Sequence, residues 1–87
     1  MAFVAVEGRV EDFPGWHKRF EEGAGLRRSG GVKSEQVLRQ SEDGQHILVL
    51  YEVDDVQQAR QYLESEEIRR RRHEVGVRDV RFYYPES

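Results

Sequence analysis

The sequence predicts an α+β fold: one antiparallel sheet of four strands, helices on a single face, in the order strand, helix, strand, strand, helix, strand. Three observations lead there. The stretch His46-Ile47-Leu48-Val49-Leu50-Tyr51-Glu52-Val53 is short and rich in β-branched and aromatic residues, so it reads as a strand. It is apolar on both faces, with Ile47, Val49, Tyr51 and Val53 pointing one way and Leu48 and Leu50 the other. The segment from Phe3 begins in the same two-faced manner, and two other segments carry apolar residues at helical spacing. A strand apolar on both faces needs cover on both. One layer of helices covers one face, and 87 residues leave little chain for another layer. A second copy of the chain is the expected cover.

Residues 3–10 form the first strand, with Phe3 and Ala5 on one face and Val4, Val6 and Val10 on the other. Asp12 is placed to cap a helix, and Pro14 suits its first turn. Phe13, Trp16, Phe20 and Ala24 recur as its buried stripe, His17 lies on the edge of that stripe, and the helix is expected to reach Arg28. Ser29-Gly30-Gly31 ends it, because glycine tolerates a left-handed cap. Residues 32–40 alternate poorly, and Lys33, Glu35 and Arg39 suggest an edge strand whose charges discourage stray pairing. Ser41-Glu42-Asp43-Gly44 reads as a tight turn, with Gly44 expected at positive φ, so the second and third strands form a hairpin. Asp54 or Asp55 caps the second helix. Val56, Ala59 and Leu63 are its buried line, Ser65 breaks it, and Ile68, Arg72 and Val75 continue at helical spacing to Gly76. The last strand is 77–84, with Val80, Phe82 and Tyr84 on one face and Arg81 and Tyr83 on the other. This is the ferredoxin-like order, in which the first and third strands are central. Those are the two strands apolar on both faces. With both helices on one side, two such sheets are expected to pack face to face across a two-fold axis. The pattern leaves open whether the Leu48 face or the Val49 face meets the partner.

At this length the chain reads as one domain spanning 1–87, and association is a common remedy for so small a core. The net charge of -3 gives no general attraction to nucleic acid. The run Arg69-Arg70-Arg71-Arg72 does not alter that. Glu64, Glu66, Glu67 and Glu74 flank it, and consecutive helical residues point around the cylinder rather than along one face. Without cysteine there is no disulfide, no thiolate metal site and no thiol nucleophile. His17, His46 and His73 fall on separate elements without metal-ligand spacing, so no metal is expected. The start Met-Ala-Phe-Val-Ala-Val lacks the basic and long apolar regions of a secretory signal, and no apolar run approaches the ~20 residues of a membrane span. A cytoplasmic protein with no membrane partner is the expectation.

The run Val-Glu-Asp-Phe-Pro-Gly-Trp-His-Lys-Arg-Phe at 10–20 resembles a recurring motif of the dimeric α/β-barrel superfamily. So do Leu50-Tyr51-Glu52-Val53-Asp54-Asp55 and Ala59-Arg60-Gln61-Tyr62-Leu63-Glu64-Ser65. The chain is most similar to small antibiotic-biosynthesis-monooxygenase-like and polyketide-cyclase-like members. The resemblance implies two ferredoxin-like protomers closing a shared barrel, with ligands in a cleft between each sheet and its helices. It implies no bound cofactor: such monooxygenases oxidise electron-rich aromatic substrates with molecular oxygen, commonly using Asn, Trp and basic or aromatic groups. The haem-degrading branch uses Asn, Trp and His. This chain contains no Asn, so both patterns are incomplete here.

Trp16 and Phe20 are candidate walls of an aromatic cleft, although the same spacing serves core packing. His17 is the candidate general base, since an unperturbed imidazole titrates near ~6.5; at the rim of a helix it serves equally as a half-buried structural histidine. Tyr51, Tyr62 and Tyr83 carry hydroxyls able to meet a phenolic or carbonyl ligand, or one another. Glu7 and Arg81 lie on strands expected to be neighbours. The site is therefore expected between the first helix and the sheet, with His17 catalytic and Trp16, Phe20, Tyr51, Arg81 and Tyr83 binding the ligand. The expected function is that of a small homodimer acting on an aromatic or polyketide-like molecule as a cofactor-independent monooxygenase- or cyclase-like enzyme. The alternative is a non-catalytic ligand-binding, accessory or structural dimer.

Overall fold

The computed structural model describes residues 1–86. Its elements are β1 (Ala2–Val10), α1 (Phe13–Glu22), α2 (Ala24–Ser29), β2 (Val32–Arg39), β3 (His46–Val53), α3 (Val56–Leu63), α4 (Glu66–Glu74) and β4 (Val77–Tyr83). The strands form one sheet in the order β2-β3-β1-β4, with every neighbouring pair antiparallel. The two-faced strands are thus the central ones, as their composition predicts.

Register decides which side chains share a compartment. Val4 pairs with Tyr51 and Val6 with Val49, and these residues turn towards the helices. Val4, Val6, Val10, Ile47, Val49, Tyr51 and Val53 are all buried there, with Trp16, Ala59 and Leu63 packed over them. Fully burying a side chain such as Leu63, 1% exposed, contributes roughly 1.5–3 kcal/mol. The opposite face is uncovered. It carries Ala5 beside Leu50, Leu48 beside Leu38, and Phe3 and Tyr83, which are 53% and 48% exposed. The Val49 side is therefore the core face, and the Leu48 side is the open one.

Local chemistry sets the helix ends. Asp12 Oδ1 accepts from the Gly15 N–H at 3.2 Å, and Asp55 Oδ1 from the Gln58 N–H at 3.2 Å. The first helix does not run unbroken to Arg28. It ends at Gly23, whose N–H donates to Arg19 and Phe20 carbonyls, and whose own carbonyl starts α2 by accepting from Arg27 N–H at 3.1 Å. The break at Ser65 is where expected: its hydroxyl donates to Tyr62 O and accepts from the Ile68 N–H. Gly31 and Gly76 take φ of 93° and 82° at the ends of α2 and α4, a region costly for residues with a Cβ. Gly44 does not adopt the positive φ expected of it. The hairpin is tied by Asp43 instead, which accepts from Gln45 and His46 N–H groups, so the turn needs no left-handed residue there.

Gly30 has a different reason. A Cβ built there would collide with Cγ of Tyr62, so the end of α2 lies directly against that ring. Trp16 is 6% exposed, packed among Phe13 and Phe20 with ring centroids 5.6 and 5.0 Å away. Its fluorescence should be blue-shifted in the folded protein and move red on unfolding; solvent-like emission before denaturation would contradict this placement.

Candidate functional site

The two helical pairs do not close over the sheet. Between them lies a cavity of about 820 Å³. Trp16 and Phe20 from α1, Leu26 from α2, Tyr62 from α3 and Ile68 from α4 wall it, and Tyr51 of β3 rises into it from the sheet. The same walls carry the guanidinium-bearing residues Arg19, Arg27, Arg71 and Arg72, with Asp12, Glu22 and Glu74. Aromatic walls combined with placed polar groups are the usual form of a small-molecule site, and charged groups are numerous in this one.

Its polar groups are in different states. Arg27, 6% exposed, is paired through all three of its nitrogens: Nε and Nη2 donate to Glu35 Oε1 at 3.2 and 2.8 Å, and Nη1 donates to Phe20 O at 2.6 Å. Its guanidinium lies 3.8 Å from the Phe20 ring centroid. Burial alone would raise the Glu35 carboxyl, but bonds from Arg28 and Arg27 outweigh that and hold it below the ordinary glutamate range. Arg72 makes one side-chain hydrogen bond among the described residues, from Nη2 to Leu63 O at 2.6 Å. Burial pulls its guanidinium below the ordinary arginine value. Burial pushes the Tyr51 phenol up to about 12 and Tyr62 also upward, so both stay protonated at neutral pH.

The six residues expected to form one site are divided by the sheet. Trp16, Phe20 and Tyr51 line the cleft. Arg81 and Tyr83 do not belong with them: their partners in the β1 ladder are Glu7 and Ala5, so they stand on the open face. His17 is outside the cleft lining as well. It stacks on Phe13 at 5.5 Å, approaches Glu21 at 3.5 Å, and its side chain is 41% exposed. A base placed there faces solvent, so the general-base role expected of His17 has no substrate space beside it.

On the open face, Tyr83 Oη donates to Glu7 Oε1 at 2.7 Å, while His46 Nε2 meets Glu7 Oε2. The Tyr83 hydroxyl and then His46 hold the Glu7 carboxyl below its ordinary value. Beside them, the β1–β4 ladder shifts register between Glu7 and Arg9, and Asp79 takes φ of 55°. Thus Glu7 and Arg81 are ladder neighbours as expected, but Glu7 is bonded to Tyr83 and His46.

Arg72, which lines the cleft, and Glu35, which pairs with the cleft residue Arg27, are not among the six site residues expected from the sequence. Helical spacing puts Arg72 on the stripe of Ile68 and Val75 without giving it a role. A charged residue four positions after Ile68 on the buried line of a helix has to end in a cleft or a pair, and that was the signal for it. Glu35 has the look of a solvent-facing charge on an edge strand. It shares the inward face with Val37, and that phase was the available signal.

A one-sided layer of helices on a β2-β3-β1-β4 antiparallel sheet, with a cleft between the helical pairs, is a ferredoxin-like α+β fold. Models of known protein families give no match to the chain, and no curated protein matches it. Solved structures do. A crystal structure of an antibiotic biosynthesis monooxygenase is similar over 100% of this chain and 98% of its own, with TM-score 0.71 and 13% identity. A Deinococcus radiodurans protein ascribed to the same monooxygenases gives TM-score 0.67 at 14% identity, over 100% of this chain and 92% of that one. A Mycobacterium tuberculosis protein gives 0.55 at 15%, over 99% and 95%. The resemblance carried by residues 10–20, 50–55 and 59–65 agrees with these neighbours in fold. Among the described residues, no helix is long and apolar enough to cross a membrane.

Proposed function

We propose that this protein binds a small, flat aromatic or polyketide-like molecule in the cleft over Tyr51, as a homodimer joined through its open sheet faces, and oxidises or cyclises it without a bound cofactor. The cleft itself carries the reading: about 820 Å³, walled by Trp16 and Phe20, with Tyr51 at its floor. That volume suits a fused-ring ligand. The neighbours named as antibiotic biosynthesis monooxygenases support the chemistry by analogy of fold. For the dimer, the support is the uncovered apolar strip of Phe3, Leu38, Leu48, Leu50 and Tyr83, wider than scattered exposure explains.

The second reading, a binding or accessory dimer without turnover, is favoured by the absence of Asn and by the position of His17 outside the cleft. Anthrone separates the two. Titration should quench the single tryptophan in both cases, since Trp16 walls the cleft. Turnover predicts one dioxygen consumed per anthraquinone and water formed, faster than in buffer alone. Quenching without oxygen uptake selects the binding reading, and no quenching by anthrone or hydroxylated naphthalenes removes the cleft from both.

A further inference from the structure

We propose that the cleft selects aromatic molecules bearing an anionic oxygen, a carboxylate or an ionised phenol, and that Arg72 is the residue that selects them. This rests on the aromatic cleft proposed above and goes on to name what must be attached to the ring.

The phase of α4 decides which of its arginines reaches the cleft interior. Of the four in sequence, Arg69, Arg70 and Arg71 are exposed. Arg72 alone is drawn inward, by the helical spacing it shares with Ile68 and Val75. A guanidinium has five N–H donors and no acceptor. Among the described residues, one side-chain bond of Arg72 is formed, to Leu63 O, and no carboxylate lies within ion-pair distance. The Phe82 ring, 5.1 Å away, gives it an aromatic face but no countercharge.

The other arginines of the cleft are differently provided for. Arg27 is bound to Glu35, Arg71 reaches Glu67 at 3.5 Å, and Arg19 is exposed. The cleft acids do not meet Arg72 either: Asp12 caps α1, and Glu22 and Glu74 are exposed. A half-buried cation has lost part of its hydration and found no anion to replace it. An anionic ligand would supply that anion, and a neutral ligand would not.

Around Arg72 stand further donors. Tyr51 and Tyr62 both line the cavity, and neither hydroxyl is bonded to another side chain or to backbone among the described residues. Buried polar side-chain atoms without a partner are absent among the described residues, so the Tyr51 hydroxyl opens into the cleft rather than being sealed off. Hydroxyls accept as well as donate and would serve neutral carbonyl or hydroxyl ligands too. Arg72 only donates and is always charged, so discrimination between neutral and anionic ligands falls to it.

The test compares 2-naphthoate with 2-naphthamide at pH 7. They share a ring system and nearly a shape and differ in charge. Binding to the native protein is read by calorimetry and by Trp16 quenching. The carboxylate should bind tighter by about tenfold to a hundredfold, the range of a charge-assisted bond. Arg72→Met should abolish that preference, lowering carboxylate affinity much further than amide affinity. Arg72→Lys, which keeps the charge and loses the planar fork, should retain part of it. Equal affinity of the two probes for the native protein overturns the proposal and leaves the aromatic cleft standing. A preference that survives undiminished in Arg72→Met, or in Arg72→Lys should the methionine variant not fold, overturns it also. Failure of both probes to bind removes this proposal together with the aromatic cleft beneath it.

Discussion

Val49→Lys should leave the chain unfolded, whereas Leu50→Lys, one residue along, should leave a folded protomer that no longer pairs. Val49 is 3% exposed and lies opposite Val6 and Val37 in the core ladder. An ammonium group there has no partner and no water, a cost on the order of several kcal/mol, comparable with the whole stability of a small domain. Leu50 lies on the open face between Ala5 and Gln36. A lysine there reaches solvent in the single protomer and becomes buried only when a second sheet covers it. Leu50 is a cleaner choice than Leu48, which lies opposite Glu7 and would offer a new lysine an immediate counterion. Light scattering at micromolar concentration, with circular dichroism to confirm folding, reads both variants. A native protein that scatters as a monomer would end the dimer proposal, and a Leu50→Lys protein that stays dimeric would rule out the open sheet face as the interface.

Glu35→Ala should be the most damaging change to a charged residue. It strips the countercharge from Arg27, whose side chain is 7% exposed. Removing one member of such a pair costs roughly 3–5 kcal/mol. Replacing both with apolar residues, as in Arg27→Met with Glu35→Leu, should recover much of the loss, because Arg28 is exposed and keeps its hydration. Chemical denaturation of the two single variants and the double variant measures this directly. Additive losses would show that the pair does not act as a unit. The same carboxylate gives stability a pH dependence. Its folded value is depressed, so its contribution is complete above the ordinary glutamate value of ~4.3 and is lost as pH falls below that, through the folded value. Glu7, held low by Tyr83 and His46, and Asp43, held low by Arg9, act in the same direction. Glu35→Gln should therefore flatten the acid limb without abolishing it.

The sheet could be read in advance because its pattern is local. Two apolar faces on 46–53 and on the start of 3–10 require central positions, and the ladder order comes with them. The break after Glu22 was less legible. Gly23 weakens a helix without dictating where it bends, and the bend is completed by the Arg27 bond to Phe20 O, a contact between turns. The candidate site was legible in its aromatic half. Trp16, Phe20 and Tyr51 obey periodicity. Arg81 and Tyr83 obeyed it too, against their assignment: alternation with Val80 and Phe82 already placed them across the sheet. Charged residues are where patterning fails. The pattern turns both Glu35 and Arg72 inward, but whether each ends in a pair or in an open cleft depends on what another element brings within reach, and the period names no partner.

The absent side chain at Gly30 has a consequence for how this sequence can drift. Tyr62 contributes its hydroxyl to the cleft and its ring to the space a Cβ at position 30 would need. The two positions amount to one choice. Any larger residue at 30 forces either a smaller one at 62, which opens the cleft wall, or a displaced α2, which carries Leu26 and Arg27 with it. Among descendants of this chain, the identity of residue 30 should therefore forecast the shape of the ligand space, although residue 30 is not part of the cleft lining.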